Sequence, residues 1–454
     1  MSASGSRRAL LLLLLINLFN YVDRQVLAAV VPSIEKSFFG GEGAARSAGL
    51  ERLQDWCRLH LGFKPELALI GVLSMAFMVL YMVGAPIFGR LAERHSRWGL
   101  VGIGVVSWSL ASGASGLATT FLGLLLTRCF VGIGEAAYGP VAPTILSDLY
   151  DVSQRGRILA WFYMAIPVGS ALGYVLGGAV AGSSIGEARL LGIHADSWRW
   201  AFFLVVPPGL LLGLWAFFMK DPVSGGGARS GSKGGNARQR QAVRWRDYLV
   251  LLRTPSWLLC TLGMTAMTFA IGGIAFWMPF FLAQKPGAPA SATIVFGAIT
   301  CVAGLIATVL GGMAGDRLRR RFPGSYFLVS GAAMLVGFPF MLLTLAAPFP
   351  LIWIWLFAAC FCLFFNTGPT NTILANVSHP SIRAAGFALN IFVIHAFGDV
   401  LSPVVIGILS DRYSMHLAFV VVGIMFVVAG ILWLAGARFL ERDTARVEAA
   451  APTP

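Results

Sequence analysis

Charged residues are scarce in this chain. Only 12% of its 454 residues are Asp, Glu, Lys or Arg, whereas 57% are hydrophobic, and the mean hydropathy is +0.77. A soluble protein of this size needs far more charge to cover its surface. The composition therefore excludes a soluble globular protein and predicts an integral membrane protein.

Three further absences narrow the function. The six cysteines show no spacing typical of a disulfide framework or a metal site, and no G-x-x-x-x-G-K-[S/T] motif for nucleotide phosphates is present. The apolar segments do not alternate polar and apolar residues, which excludes the strands of a membrane barrel. The sequence thus predicts a protein that is not an enzyme and holds no metal or cofactor. Any transport that it performs would be secondary, driven by gradients rather than by nucleotide hydrolysis.

Twelve stretches are long and apolar enough for transmembrane helices, which need roughly 20 residues each. The first continues past Asp23 and Arg24 to Pro32 without a small-residue cleavage site, so we expect an uncleaved span rather than a signal peptide. The predicted fold class is an all-α integral membrane protein with twelve transmembrane helices in two pseudo-symmetric six-helix bundles. The predicted spans are 8–31, 67–92, 98–118, 121–146, 156–182, 199–219, 256–283, 291–314, 325–346, 349–375, 384–410 and 415–438.

The middle of the chain separates two halves. Residues 221–243 are rich in Gly, Ser and Arg without apolar periodicity, as expected for a flexible linker, and RWRDYLVLLR at 244–253 predicts a short interfacial helix. In the long outer loop at 33–66, LERLQDWCRLHLGF indicates an amphipathic helix. The predicted domains are a six-helix bundle at 1–219, a cytoplasmic linker at 220–255, a second bundle at 256–440 and a cytoplasmic tail at 441–454.

The formal net charge of +14 could indicate a nucleic-acid partner. Most Lys and Arg residues, however, lie in the termini and loops on one side of the predicted spans, and the positive-inside rule then places both termini in the cytoplasm. We therefore expect a multi-pass protein of the plasma (inner) membrane that contacts membrane lipids, binds no nucleic acid and is a monomer.

One motif follows the second span of each half. GRLAERHSR at 89–97 recurs as GMAGDRLRR at 312–320, and GSALGYVLGG at 169–178 recurs as GDVLSPVVIG at 398–407. Internal repeats of this kind are typical of transporters in which two bundles rock to alternate access. The motif charges are expected to bridge neighbouring helices as a cytoplasmic gate, although a plain stop-transfer cluster is the alternative. The predicted gating residues are Gly89, Glu93, Arg94, Arg97, Gly312, Asp316, Arg317 and Arg320.

This repeated motif, G-x-x-x-D/E-R-x-x-R, resembles the hallmark of the major facilitator superfamily, with Glu93 where the family usually has Asp. NYVDRQVLA at 20–28, GEAAYGPVAPTILSDLY at 134–150 and RGRILAWFYMAIPVGSALGYVLGG at 155–178 resemble its Spinster branch. The resemblance implies transport of amphipathic lipids such as sphingosine-1-phosphate, other sphingolipids or lysophospholipids, with proton coupling in some members.

Buried charge is the strongest functional signal in the spans themselves. Arg24 and Arg128 lie inside apolar segments, where a charge usually faces a protein interior or a water-filled path. The planar fork of arginine grips phosphate or carboxylate at two points, so we expect both residues to bind an anionic headgroup. The structural alternative is that each only pairs with Asp23 or Glu135 to lock helices together.

Glu135 is the expected proton-coupling residue, with Asp23 as a second candidate. Burial disfavours the charged form of a carboxyl and a nearby arginine favours it. Glu135 follows Arg128 by seven residues on the same helix face, which suggests a salt bridge that substrate binding to Arg128 would break. A permanent ion pair is the alternative. His395 and Asp399, one turn apart, could instead form the proton relay or be only a structural polar pair.

Neutral polar residues complete the expected binding site. Asn17, Asn20 and Tyr21 share a helix face with Arg24, and the second half contributes Asn366 and Thr370; interhelical hydrogen bonding is the alternative role. The second half also carries aromatic residues where the first half is charged, which suggests an amphipathic substrate with its headgroup toward the first half and its tail toward the second. Lipid-facing aromatics are the alternative. These aromatic residues are Phe276, Trp277, Phe280 and Phe281.

The predicted function is a secondary active transporter of amphipathic anionic lipids, coupled to protons. The same fold could serve a multidrug or organic-anion exporter. A non-transporting receptor or a lipid scramblase would be a different class of protein.

Overall fold

The computed structural model describes residues 3–40, 48–181, 183, 189–190, 193–194, 196–220, 245–379 and 381–450. These residues are helical apart from turns and one pair of two-residue strands, β1 (Arg189–Leu190) and β2 (Ile193–His194), which pair antiparallel. The predicted all-α class is confirmed.

The described residues before the linker form nine helices. α1 and α4 contain the first two segments that are long and apolar enough to cross a membrane, and α6 and α7 together form one span that a turn interrupts. The bounds are α1 Ala3–Ala29, α2 Val31–Phe39, α3 Ala48–Leu61, α4 Glu66–Leu91, α5 Arg97–Leu117, α6 Phe121–Ala136, α7 Ala142–Leu149, α8 Val152–Ala181 and α9 Ser197–Phe217.

After the linker, the part of the chain that the structure describes forms nine further α-helices. A π-helical turn at His395–Asp399 interrupts the segment between α16 and α17. The bounds are α10 Trp245–Leu252, α11 Pro255–Gln284, α12 Ala292–Arg319, α13 Ser325–Ala346, α14 Ile352–Phe364, α15 Thr367–Val377, α16 Arg383–Ile394, α17 Ser402–Arg412 and α18 Met415–Ala450.

Eleven helical segments among the described residues are long and apolar enough to cross a membrane. The remaining predicted span, 121–146, which is the fourth in chain order, is α6 followed by α7, with a turn at 137–141 that leaves each piece short. Pro143 lies in the first turn of α7, where its missing N–H costs no helical hydrogen bond. Within the residues that the structure describes, each of the twelve predicted spans therefore contains one or more of these helices.

The first span ends at Ala29, close to the predicted end at 31. The separate helix α2 begins at Val31, with Pro32 in its first turn, where proline is tolerated. One predicted boundary is wrong. The last helix does not end at 438, so residues 441–450 of the predicted tail are helical. Asp443 holds this extension in place, since its carboxylate is 2% exposed and accepts a hydrogen bond from the backbone N–H of Ser256 at 3.0 Å.

The predicted surface helices are present. α3 covers the amphipathic segment of the outer loop, with Leu50 and Cys57 buried and Trp56 exposed. α10 lies where the interfacial helix was expected, and its depth in the membrane stays a prediction. The linker proper, residues 221–244, and the last four residues, 451–454, lie outside the described residues.

Contacts divide the chain into two compact units. The first comprises Met1–Lys233 and Ala275–Ala298, and the second comprises Gly234–Ile274 and Ile299–Pro454. The sequence placed the boundary in the 220–255 linker, whereas this division also groups residues 275–298 with the first unit. The domain ranges drawn from the sequence stay a prediction.

Close helix contacts through glycine shape the interior of the first unit. A Cβ on Gly173 of α8 would lie 2.6 Å from the carbonyl oxygen of Val22 on α1, and a Cβ on Gly104 of α5 would lie 2.7 Å from that of Gly134 on α6. Larger residues would force these helices apart, as is usual where helices pack in lipid. The contacts bring the charged stretches of α1 and α6 into one interior.

Candidate functional site

Four charged residues meet in the interior of the first unit. Asp23 and Arg24 come from α1, and Arg128 and Glu135 come from α6. Asp23, Arg128 and Glu135 are each no more than 2% exposed, and the side chain of Arg24 is 16% exposed. Because a buried charge is costly without partners, their shared location marks the main candidate site of this unit.

Arg24, not Arg128, pairs with Glu135. Nε and Nη2 of Arg24 both lie 2.7 Å from Oε2 of Glu135. The predicted Arg128–Glu135 salt bridge is therefore wrong. Seven residues put Arg128 and Glu135 on one face of α6 but also about 10 Å apart along its axis, whereas packing of α1 brings Arg24 directly opposite Glu135.

Arg128 is held by a hydroxyl and an aromatic ring. Its Nη2 donates to Ser115 Oγ at 2.8 Å, and its guanidinium lies 5.1 Å from the ring centroid of Phe202 on α9. Of the two carboxylates, Asp23 has the stronger electrostatic interaction with Arg128, and Asp23 Oδ1 accepts a hydrogen bond from Ser112. Among the described residues, Arg128 is thus buried without a close ion pair of the kind that Arg24 has.

Several polar atoms of this cluster have no hydrogen-bond partner among the described residues. Buried donors and acceptors are usually satisfied, and each unsatisfied one costs about 1–3 kcal/mol. Donors and acceptors are both represented, so the cluster can bind a polar ligand or take up protons. The unpartnered atoms are Nδ2 of Asn20, Oδ2 of Asp23, Nε of Arg128 and Oε1 of Glu135.

Three aromatic rings surround Arg24. The distances from its guanidinium carbon to the ring centroids are 5.0 Å for Tyr21, 4.9 Å for Phe77 and 5.0 Å for Tyr81. Phe77 and Tyr81 belong to α4 and were missed by the sequence analysis. They are four residues apart in an apolar span, a pattern that does not distinguish them from aromatics facing lipid.

The other polar residues predicted on α1 have different surroundings. Asn17 Nδ2 donates to the backbone oxygen of Phe162 on α8 at 2.8 Å, which is the structural alternative of interhelical bonding. Asn20 is buried beside Glu135, but its Nδ2 has no hydrogen-bond partner of acceptable geometry among the described residues. Tyr21 contributes a ring to Arg24. Among these residues, Asn20 and Tyr21 lie at the charged cluster.

In the second unit, Asn366 and Thr370 are fully buried. Asn366 Nδ2 donates to the backbone oxygens of Cys362 and Leu363, and Thr370 Oγ1 donates to that of Asn366 at 2.7 Å. These bonds stay within one helical segment. A substrate role for either residue stays a prediction.

The two motif copies differ in their contacts. In the first, Arg97 Nη1 donates to Asp148 Oδ2 on α7 at 2.7 Å. In the second, Asp316 Oδ1 accepts from the Tyr326 hydroxyl on α13 at 2.7 Å, and the guanidinium of Arg319 lies 5.5 Å from the same ring. Each copy thus bridges neighbouring helices of its own unit, the first by an ion pair and the second by a phenol.

Motif residues outside these contacts are mostly exposed. The exposed ones are Glu93, Arg94, Arg317 and Arg320. The two glycines, Gly89 and Gly312, are partly buried.

His395 and Asp399 form the pair that their spacing suggested. His395 Nδ1 lies 2.9 Å from Asp399 Oδ2 in the π-helical turn. Such turns often occur at functional sites, and the pair remains the alternative location for a proton.

Comparison with known proteins decides the family. The family model described as Major Facilitator Superfamily matches residues 13–398. The chain belongs to the Major Facilitator Superfamily. Within it, Protein spinster homolog 1 of Rattus norvegicus is 32% identical over 480 residues, covering 99% of this chain and 84% of the relative. The Bos taurus homolog is 35% identical over 433 residues, covering 91% and 74%. The resemblance to the Spinster branch is confirmed.

Solved structures support the superfamily fold. A bacterial homolog to the human lysosomal transporter Spinster, in an inward-facing and unoccupied conformation, matches with a TM-score of 0.82 at 20% identity, covering 98% of this chain and 99% of that one. A D-xylose-proton symporter matches with a TM-score of 0.69 at 16% identity, covering 93% and 96%. The chain is therefore a multi-pass membrane transporter of the Spinster type with the twelve-helix superfamily fold.

Proposed function

We propose that this Spinster-type chain is a proton-coupled secondary transporter of amphipathic anionic lipids, of the sphingosine-1-phosphate, sphingolipid or lysophospholipid type. The observation that carries the proposal is the cluster of Asp23, Arg24, Arg128 and Glu135, buried together with unpartnered polar atoms. Two arginines in a membrane interior suit a phosphate or carboxylate headgroup.

Charge balance supports proton coupling. With both carboxylates ionised, the four side chains sum to zero. An entering anion leaves the cluster with an excess negative charge in a medium of low dielectric constant, where that charge is costly. Protonation of Glu135 or Asp23 removes it. Binding of an anion and of a proton therefore favour each other.

A change in the partner of Arg24 links anion binding to proton uptake. Arg24 binds one carboxylate oxygen of Glu135, Oε2, and the other oxygen, Oε1, has no hydrogen-bond partner among the described residues. When a headgroup takes over Arg24, Glu135 loses its countercharge and gains a proton. Arg128 contacts Ser115 and Phe202 and forms no close ion pair within the part of the chain that the structure describes, so it can bind the same headgroup without first breaking one.

An amphipathic cargo also needs apolar contacts. The aromatic residues predicted to meet its tail are buried, so they do not face lipid. Phe276 and Trp277 pack with ring centroids 5.0 Å apart, and Trp277 and Phe280 at 5.7 Å. The exposed fractions are 6% for Phe276, 0% for Trp277, 3% for Phe280 and 7% for Phe281.

The remaining properties follow from charge placement and repeat structure. The basic excess on one side favours cytoplasmic termini in the plasma (inner) membrane. The two motif copies favour alternating access by a single chain acting as a monomer. A multidrug or organic-anion exporter is the second candidate, since a pair of buried arginines suits other organic anions.

Flux into proteoliposomes tests the proposal. We expect saturable uptake of one or more lysolipids from a panel of anionic, zwitterionic and uncharged headgroups, accelerated by a pH gradient. Preference for soluble organic anions would support the second candidate. Downhill movement of many phospholipids, independent of pH, would instead identify a scramblase and contradict the proposal.

The second motif copy allows a separate test of gating. Asp316→Asn should shift the chain toward inward-open states, because it removes a negative charge from the proposed latch, and a latch that holds in one conformation only biases the equilibrium between the two. Spin-label distances between helix ends on the cytoplasmic side measure the shift. Asp151→Asn, the same change at an exposed turn, is the control. Identical distance distributions for Asp316→Asn and the parent would exclude a latch.

A further inference from the structure

We propose that Phe77 and Tyr81 on α4 are positioning residues for Arg24, which they hold, together with Tyr21, whenever Glu135 releases it. The inference rests on the proposed function, because it concerns how the Arg24–Glu135 pair opens. Without this role, Phe77 and Tyr81 would serve only in helix packing.

The number of ring contacts on this one guanidinium is the first observation. Energetically significant cation–π contacts occur roughly once per 70–80 residues of protein. Arg24 makes three, at 4.9–5.0 Å, to rings from two helices. Phe77 is 8% exposed, so this contact is shielded from solvent and strengthened.

The second observation is the one-sided ion pair. Both contacting nitrogens of Arg24 reach the same oxygen of Glu135, and the other oxygen has no partner among the described residues. The carboxylate therefore covers one edge of the guanidinium, while the rings lie around its remaining surface. Arg24 has two sets of partners, one charged and one neutral.

These two sets respond differently to protonation of Glu135. The negative face of a ring attracts an unpaired guanidinium more strongly than one neutralised by an adjacent carboxylate, because the carboxylate repels the ring face. Only such a differential interaction can shift an equilibrium. The rings therefore stabilise the open pair more than the closed pair, and they make it easier for Glu135 to accept a proton.

Other charged and titratable groups lie near Arg24 and Glu135. Asp23 is adjacent on α1, and Arg128 interacts with Asp23 and Glu135. Tyr138 in the turn after α6 and Tyr163 on α8 interact with the phenols around Arg24 rather than with Arg24 itself. Among the described residues, the groups linked to Arg24 or Glu135 directly or through these phenols are Asp23 and Tyr21 on α1, Tyr81 on α4, Arg128 and Glu135 on α6, Tyr138 and Tyr163.

Infrared titration of the purified full chain measures protonation without any substrate. The carbonyl band of protonated Glu135 is identified by its loss in Glu135→Gln, and that of Asp23 by its loss in Asp23→Asn. We expect the Glu135 midpoint to move to lower pH by on the order of half a unit in Phe77→Leu and in Tyr81→Leu, because losing a ring favours the closed, ionised pair. The double variant should shift further.

Conservative variants separate positioning from packing. Tyr81→Phe keeps the ring and should keep the parent midpoint, as should Phe77→Tyr. Phe130→Leu removes a ring that is 60% exposed on α6 and is the matched control. Unchanged midpoints in both leucine variants would overturn the proposal. So would a Tyr81→Phe shift as large as that of Tyr81→Leu, since the hydroxyl would then be responsible.

Transport gives the second readout. If the coupling proposed above holds, the pH midpoint of uptake moves with the infrared midpoint in the same variants. Uptake that ignores pH in the parent would refute proton coupling, while the infrared shift would still decide the role of the rings. If one leucine variant does not fold, the other supplies the same comparison.

Discussion

Glu135→Gln is expected to abolish the acceleration of uptake by a proton gradient. The amide imitates the protonated carboxyl, so Arg24 loses its charged partner and is free for the headgroup, while no proton remains to be exchanged. Substrate should still bind, because a competing internal carboxylate is gone. Counterflow, which needs no net movement of protons, should survive. Uptake with and without the gradient, at equal protein levels, measures the effect.

Glu51→Gln provides the control for that experiment, because it makes the same chemical change at an exposed position of α3. It should leave the gradient response unchanged. If Glu135→Gln kept the pH dependence of the parent, the coupling carboxyl would have to be another. Asp23, buried against Ser112 and near Arg128, would be the next residue to replace. The His395–Asp399 pair would follow it.

Arg128→Lys is expected to weaken substrate binding roughly 10- to 100-fold, since a charge-assisted hydrogen bond contributes about 1.5–3 kcal/mol. Lysine keeps the charge but loses the planar fork. In this structure it would also lose the contact with the Phe202 ring and the bond to Ser115. Binding affinity for the substrate that the proteoliposome panel identifies, measured in detergent or nanodiscs, tests this expectation.

Arg199→Lys is the matched control for Arg128→Lys. Arg199 is also a buried arginine of the first unit, 5% exposed, but it donates to the backbone oxygens of Gly116 and Ala118 at the end of α5. Arg199→Lys should lower the thermal stability of the protein and leave its affinity for substrate unchanged. An Arg128→Ala variant that bound and moved substrate like the parent would contradict a headgroup role for Arg128.

The sequence of the repeated motif predicted only some of the contacts that the motif makes. The two copies predicted contacts between neighbouring helices, and Arg97–Asp148 and Asp316–Tyr326 are such contacts. The difference between them was not predictable from the motif. The partner residues lie outside it, and one of them is a phenol rather than a charge.

The sequence by itself determined that this chain is a membrane protein with twelve spans, and that its first half buries two arginines and two acids. Hydropathy and residue type are local properties, so they need no knowledge of packing. Helix ends were harder to predict. The last helix, α18, continues to Ala450, well past the predicted end at 438, because hydropathy does not report the contacts that extend a helix.

Only the tertiary structure decided which charges meet. Spacing on α6 suggested Arg128 for Glu135, but the approach of α1 brings Arg24 to it and leaves Arg128 with Ser115 and Phe202. The rings of Phe77 and Tyr81 became part of the site for the same reason. Pairing depends on how helices from distant parts of the chain are rotated against one another, and contacts such as Gly173 on Val22 and Gly104 on Gly134 set that rotation.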